Sequence, residues 1–186
     1  MTATLRRPVV LGTGAAYGNH YTTEQMLEAL THQRKSAGDS KFDVDFARRV
    51  LNACGYDRHS VALDLSDVFR RFTRTEYLEH RSVNLVRLAQ EAGEAALTRW
   101  GGPKNCITHL FWGTMTGAMH SPTIDIELVK RLGLNLDVAR TSIEGMGCLT
   151  GFRLLNLARE VRTHTWGLAL RSRVVDACML TALSLS

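Results

Sequence analysis

The alternation of short apolar runs with amphipathic helices over residues 82–161 is the feature that most restricts how this chain can fold. Apolar side chains recur at helical spacing in SVNLVRLAQEAGEAALTRW, and the glycines and proline that follow are typical of a helix end. The predicted elements are a helix over residues 82–100, a strand from 107, a helix over 121–132, a buried strand over 139–146 and a helix over 148–161. Ser121 and Pro122 fit the cap and the first position of the middle helix, and Gly133 fits its stop. This order predicts an α/β fold with helices on the faces of a sheet.

The N-terminal part of the chain predicts a strand followed by two more helices. Residues 8–14, PVVLGTG, have the pattern of a short buried strand that ends in glycines. Thr22 and Thr23 precede a periodic segment with an acidic first turn, which predicts a helix with a threonine cap. Residues 43–54 predict another helix, which stops at Gly55.

Composition excludes several classes of protein. A chain of 186 residues with 45% hydrophobic and 22% charged residues is typical of a globular domain with a proper core. No apolar run approaches the length of a membrane span, no signal peptide is apparent, and no basic stripe interleaved with aromatic residues predicts nucleic-acid binding. The four cysteines are far apart, which predicts neither a zinc site nor a disulfide framework and fits a reducing, cytoplasmic compartment: Cys54, Cys106, Cys148 and Cys178.

Cys148 stands at a predicted strand-to-helix turn, between Gly145 and Gly147 on one side and Gly151 on the other. A cysteine in the first turn of a helix faces unpaired backbone N–H groups and the positive end of the helix dipole, which favour the nucleophilic thiolate. Apolar residues on most sides of the following helix predict that it is central and largely buried. From these residues alone, Cys148 is equally well interpreted as a small buried side chain.

Three stretches resemble segments of one enzyme family. They are TRWGGPKNCITHLFWGTMTG (residues 98–117), IELVKRLGLN (126–135) and EGMGCLTGFRLLNLARE (144–160), and VVLGTGAA near the start resembles the family's first strand. Over residues 7–161 the chain thereby resembles the type III polyketide synthases, the chalcone and stilbene synthase-like enzymes, and more specifically their fungal members.

The resemblance implies the N-terminal half of a thiolase-like layered α/β fold, with the nucleophile at the start of a central buried helix. It also implies a homodimer that uses acyl-CoA and malonyl-CoA, with no further cofactor and no metal. Residues 1–161 correspond to the N-terminal domain, residues 162–186 form a divergent or truncated tail, and the C-terminal half is not represented. Cys148 matches the catalytic cysteine, which takes up the acyl group before decarboxylative condensation and cyclisation.

The resemblance assigns further residues to the substrates. Thr114, Met115 and Thr116 match a small polar loop that lines the acyl pocket. Met119, or His120 beside it, matches a loop residue that reaches towards the partner's cavity. The same family holds CoA phosphates with basic side chains in the region of two arginines, Arg49 and Arg58, although an exposed arginine is also explained by solvation alone.

The chain departs from the family in its catalytic set and in its tail. The family's catalytic histidine and asparagine belong to its second half, and none of the seven histidines of this chain matches that position. His109 lies within the I-T-H-L motif, where a structural role is expected. Residues 173–178, RVVDAC, resemble a family strand only weakly, because an aspartate fits a buried strand poorly. We therefore expect a truncated chain that is inactive in condensation by itself.

Two other functions fit the same residues. The first is a ketoacyl synthase that takes its acyl groups from acyl carrier protein rather than from CoA. The second is a non-catalytic half-fold that pairs with a full-length synthase and modulates it.

Overall fold

The computed structural model of the protein describes residues 9–114, 123–165 and 178–181. The chain divides into two compact units. We call residues 17–84 the ribbon unit, and the described residues among 9–16 and 85–181 the sheet unit.

The ribbon unit combines a two-stranded antiparallel sheet with helices. Strand β1 (Asn19–Thr22) is followed directly by helix α1 (Thr23–Ser36), and helix α2 (Val44–Ala53) precedes strand β2 (Arg58–Val61). β1 pairs with β2 so that Asn19 lies opposite Val61 and Thr22 opposite Arg58. The sequence did not predict this ribbon, since both strands are short and largely polar.

Side-chain caps start both of these helices. Thr22 and Gln25 form a reciprocal capping box on α1, with Gln25 N donating to Thr22 Oγ1 and Thr22 N donating to Gln25 Oε1. Asp43 Oδ1 accepts from Phe46 N at 2.9 Å to cap α2, and Gly55 follows that helix with a left-handed φ of +70°. The predicted threonine cap and the predicted helix over residues 43–54 are confirmed.

Helix α3 (Arg74–Trp100) begins earlier than the predicted residue 82. Thr73 and Glu76 form the capping motif that the sequence analysis missed: Thr73 N donates to Glu76 Oε2 at 2.8 Å, and Glu76 N donates to Thr73 Oγ1 at 3.3 Å. At its other end the helix stops as predicted, because Gly101 has a φ of +66° and its N–H bonds to the carbonyl of Leu97.

In its described residues, the sheet unit contains three parallel strands. β3 (His109–Thr114) lies in the centre, with β4 (Ala139–Glu144) on one side and β5 (Cys178–Thr181) on the other. Helix α4 (Ile124–Arg131) connects β3 to β4, and helix α5 (Thr150–Thr165) follows β4. The two predicted strand–helix pairs are therefore present, and the predicted α/β fold is confirmed. Of residues 173–178, only Cys178 lies in the described part of the chain.

The two faces of β3 bury different neighbours. Because side chains alternate along a strand, Leu110 and Trp112 point to one face and Gly113 to the other. Leu110 and Trp112 join an apolar core with α3, α4 and the adjoining loops, whereas Gly113 contacts α5. The buried core residues are Leu85, Val86, Ala89, Ala92, Leu97, Ile107, Leu110, Trp112, Ile124, Leu128, Val129, Leu132, Leu134 and Val138.

The predicted strand over residues 8–14 is wrong for its described residues, 9–14. They form no strand, and Val9 and Val10 are exposed. Gly12 and Gly14 instead lie against α3, where an added Cβ would approach the carbonyl oxygens of Ala96 and Ala92 to 2.4 and 2.0 Å. Backbone therefore packs on a helix here, which only glycine permits.

The start of α4 also differs from the sequence prediction. Thr123 is the N-cap, with an extended backbone (φ −69°, ψ 150°), so the helix begins at Ile124 rather than at Pro122. Ser121 and Pro122 themselves lie outside the described residues. The predicted stop is confirmed, since Gly133 has a φ of +65°.

The capping motif of α3 carries a perturbed carboxyl group. Hydrogen bonds from the backbone and the side chain of Thr73, and then from Arg70, lower the pKa of Glu76 from 4.5 to about 2. Arg70 also donates to Asp67 at 2.8 Å, and the hydrogen bond to Glu76 raises the pKa of Arg70. The ionised form of Glu76 is therefore the form that the folded chain favours.

The pKa of Glu76 predicts a pH dependence of stability. A carboxyl group with a lowered pKa contributes stability that is complete above pH 4.5 and is lost as the pH falls towards about 2. Glu76→Gln keeps the capping geometry but removes the charge, so its urea midpoint should lie below that of the wild type at pH 7 and approach it as the pH falls from 4.5 towards about 2. Glu91→Gln, which removes only an exposed pair with Arg87 on the same helix, is the control. A Glu76→Gln difference that does not vary with pH would contradict the assignment.

Candidate active site

The turn between β4 and α5 holds the predicted nucleophile. Two glycines in the left-handed region, Gly145 (φ +76°) and Gly147 (φ +63°), reverse the chain after β4. Cys148 is exposed and lies in the 3-10 turn Gly147–Leu149, immediately before α5 begins at Thr150. The predicted position of Cys148 within the start of the α-helix is therefore not confirmed.

Hydrogen bonds hold this turn at both ends. Gly145 N donates to the carbonyl of Thr114 at 3.2 Å, which ties the turn to the end of the central strand. Thr150 Oγ1 donates to the carbonyl of Gly147 at 2.7 Å and is part of a buried side chain. The backbone on both sides of Cys148 is thus fixed relative to β3.

Helix α5 contacts the sheet through a narrow stripe. Leu154 and Thr150 are buried, whereas Leu149 and Phe152 remain 66% and 68% exposed. The prediction of a largely buried helix is wrong for the described side chains, because one sheet face covers only one side of a helix that is apolar on several sides. β4 is likewise exposed rather than buried as predicted, lies at one edge of the sheet formed by the described residues, and ends at Glu144.

Of the four residues predicted to line the acyl pocket, the structure describes only Thr114. Thr114 is the last residue of β3, is buried, and lies opposite Glu144 of β4. Met115, Thr116 and Met119, and His120 beside them, lie outside the described residues.

The two predicted CoA-binding arginines belong to the ribbon unit. Arg49 lies on α2 with its guanidinium 5.9 Å from the centre of the Phe46 ring, and Arg58 begins β2. Neither forms an ion pair with another residue of the described part of the chain. Arg48, beside Arg49 in sequence, is by contrast paired with Glu24 at 2.6 Å.

His109 has the local contacts of a structural residue. Its Nδ1 lies 2.9 Å from Thr108 Oγ1, and its ring stacks on that of Phe111 with the centroids 6.1 Å apart. The predicted structural role of His109 agrees with these contacts.

Sequence reasoning missed a cavity beside the cysteine turn. It has a volume of about 280 Å³ and is lined by Ile143, Met146, Arg153, Asn156, Leu157 and Glu160. The sequence could have indicated this cavity, because four of its lining residues recur at a spacing of three and four and so share one face of a helix: Arg153, Asn156, Leu157 and Glu160. Within the described residues, no three His, Cys, Asp or Glu side chains are arranged to hold a metal ion. No helix in that part of the chain is long and apolar enough to cross a membrane.

Comparison with known proteins identifies the family. Residues 71–184 match the family "chalcone and stilbene synthases, N-terminal domain". Curcumin synthase 1 of Curcuma longa is 38% identical over 100 residues, which are 54% of this chain and 25% of the plant protein. The chain therefore belongs to the chalcone and stilbene synthase family, as its sequence predicts.

Solved structures confirm the thiolase-like fold. The C-terminal type III polyketide synthase domain of Steely1, a type I/III hybrid from Dictyostelium, matches with a TM-score of 0.69 at 26% identity, over 83% of this chain and 44% of that one. A fungal type III polyketide synthase, ORAS, matches with a TM-score of 0.69 at 22% identity, over 85% of this chain and 42% of that one. The chain thus spans a quarter of the matched plant relative and less than half of each solved chain.

Gly113 is predicted to set the distance between β3 and α5. A Cβ at this position would lie 2.4 Å from Thr150 Cγ2 and 2.7 Å from Leu154 Cδ1. Gly113→Ala should therefore lower the free energy of unfolding by about 1–3 kcal/mol, the usual cost of overpacking, as measured by urea denaturation. Thr150→Ser removes the obstructing methyl group and keeps the hydroxyl group, so the double variant should regain part of the loss. Equal stability of Gly113→Ala and wild type would disprove the close packing.

Proposed function

We propose that this chain carries the acyl-loading site of a type III polyketide synthase, with Cys148 as the nucleophile. The supporting observation is the exposed thiol on a glycine turn at the carboxyl end of the sheet. Cys148 also stands where the family's sequence pattern has its catalytic cysteine. The fold, shared with the synthase domain of Steely1, is consistent with this role.

The loading step is a thioester exchange. The Cys148 thiolate attacks the thioester carbonyl of an acyl-CoA, the C–S bond to CoA breaks, and CoA leaves as a thiolate that takes up a proton. In this proposal, preorganised backbone N–H groups beside the thiol stabilise the oxyanion that forms on the way. The N–H of Thr150 is not one of them, because it donates to the carbonyl of Gly147. The product is an acyl-cysteine that keeps the carbonyl reactive while the chain is tethered.

Chain extension is the second part of the proposal and concerns the assembled synthase. Malonyl-CoA would lose CO₂, and the resulting carbanion would attack the acyl-cysteine, with cyclisation to follow. No histidine or asparagine of this chain matches the family's catalytic pair, so we assign extension to an assembly that supplies both.

Substrate contacts follow the family pattern in our proposal. Thr114, together with Met115, Thr116 and Met119, lines the acyl pocket, and the position of Thr114 next to the cysteine turn supports this. Two basic residues, Arg49 and Arg58, bind the CoA phosphates, which is compatible with their lack of described ion-pair partners.

We further propose a cytoplasmic location and association with a second copy or with a full-length synthase. Leu149, Phe152 and Leu155 are large apolar side chains of α5 and the adjoining turn that remain exposed, which favours association. We also propose that the N-terminal synthase domain ends at residue 161 and that residues 162–186 form a divergent tail.

Acyl loading predicts a single covalent adduct. Purified chain incubated with a long-chain acyl-CoA should gain the mass of one acyl group, as measured by intact-protein mass spectrometry, and Cys148→Ala should gain none. Cys54→Ala is the matched control, because Cys54 is also exposed and should not carry the adduct. An adduct that persists in Cys148→Ala would refute the assignment of the nucleophile.

The arginine assignment predicts weaker use of CoA esters. Arg49→Gln and Arg58→Gln should each raise the acyl-CoA concentration for half-maximal loading by about three- to tenfold, the effect of losing one charge-assisted phosphate contact. Arg48→Gln, which removes a side chain paired with Glu24, is the control. Loading from an acyl-pantetheine without phosphate should be unchanged. An equal loss with both donors would place the arginines outside the CoA site.

Each alternative function has its own distinguishing observation. Tight binding of an acyl carrier protein with indifference to CoA esters would favour the ketoacyl synthase interpretation. Co-purification with a full-length synthase, without acyl loading, would favour the non-catalytic partner. The exposed apolar side chains of α5 are compatible with that second alternative.

A further inference from the structure

Asp125 and Arg140 form an ion pair whose acidic partner is buried. Arg140 Nη1 donates to Asp125 Oδ2 at 3.0 Å, and the Asp125 side chain is only 7% exposed. In the other ion pairs of the described residues, both side chains are at least 29% exposed. The pair therefore differs from the solvated contacts elsewhere on the surface.

Among the described residues, Arg140 is the side chain that compensates the buried charge of Asp125. The carboxylate lies in the first turn of α4, where the helix dipole favours a negative group. Its second oxygen, Oδ1, is buried and has no hydrogen-bond partner among the described residues. Removal of either partner would thus leave a poorly compensated polar group at this position.

Arg140 belongs to the strand that leads into the cysteine turn. None of the six residues of β4 is buried, so apolar packing contributes little to its position. The strand is held by its backbone ladder to β3 and, through Arg140, by Asp125 on α4. After Glu144 the chain continues through Gly145 and Gly147 directly to Cys148.

We propose that Asp125 is a positioning residue for Cys148. Its ion pair with Arg140 holds β4 against the core and thereby fixes the thiol relative to the backbone N–H groups at the start of α5. The inference rests on the proposed function in taking Cys148 as the nucleophile. Its test measures the rates of thiol alkylation and of amide hydrogen exchange, and neither measurement requires turnover of an acyl-CoA.

The test compares rate constants of alkylation by iodoacetamide at pH 7 for Cys148 and for Cys106 in the same molecule, resolved by peptide mass spectrometry. Asp125→Asn and Arg140→Gln should slow the alkylation of Cys148 by roughly threefold, because a turn that is held less firmly keeps the thiol less often beside the backbone N–H groups that favour its reactive form. Because Cys148 is already exposed, its rate is not limited by access. Cys106 lies in the same unit, before β3, and its alkylation rate constant should change by less than about twofold.

Hydrogen exchange and two further variants complete the test. Asp125→Asn should accelerate amide exchange in the peptide over residues 143–149 without accelerating it in α3. Arg140→Lys retains the charge and should recover most of the Cys148 rate. Glu127→Gln removes an exposed pair with Arg131 on the same helix and should leave both cysteines unchanged.

Several outcomes would overturn the inference. Equal slowing of alkylation at Cys148 and Cys106 would show that Asp125 stabilises the unit as a whole and does not position Cys148. An unchanged Cys148 in a folded Asp125→Asn protein would remove the positioning role. If Asp125→Asn does not fold, the Arg140 series decides: equal Cys148 rates for Arg140→Gln and Arg140→Lys would refute the inference. If the variants show these alkylation effects but the wild-type chain forms no acyl adduct, the proposed function alone is refuted.

Discussion

The packing of the central strand β3 on both of its faces is the constraint on which the sheet unit depends. A parallel strand needs cover on both faces, and its alternating side chains decide what each cover is. Leu110 and Trp112 supply large apolar surface to the side of α3 and α4. Gly113 supplies none, so α5 approaches the backbone through Thr150 and Leu154. The same strand thus sets the distance of the helix that follows the nucleophile.

Parallel pairing then brings the candidate site together. β3 and β4 run in the same direction, so their carboxyl ends meet at one edge of the sheet, the usual location of ligand sites in such sheets. Thr114 lies opposite Glu144, and the carbonyl of Thr114 accepts the N–H of Gly145. This backbone contact ties the turn that holds Cys148 to a buried residue of the central strand. In the proposed chemistry, the Thr114 part of the acyl pocket and the nucleophile therefore lie at the same end of the sheet.

Local signals predicted the elements, while contacts between distant residues decided what the sequence left open. The strand–helix pairs and the turn at Cys148 follow from periodicity and glycine positions, which act over a few residues. Residues 8–14 have the composition of a strand, but the close contact of Gly12 with α3 is a property of the packed chain. The Asp125–Arg140 pair links residues fifteen positions apart and has no signature in either segment. Burial of α5 depends on what covers Phe152, which no periodicity reveals.

The exposed side chains around Cys148 connect assembly to chemistry. Leu149 and Phe152 flank the turn, and burial of side chains of this size stabilises a contact by about 1.5–3 kcal/mol each. Leu149 is adjacent to Cys148 in the chain, so a surface that covers Leu149 passes close to the cysteine turn. An acyl-cysteine open to solvent is exposed to hydrolysis, whereas a covered one is protected and sits in a medium where electrostatic interactions are stronger. In the proposed mechanism, loading uses the thiol on the turn together with the acyl and CoA contacts, whereas protection of the acyl-cysteine during extension depends on the contact that buries Phe152.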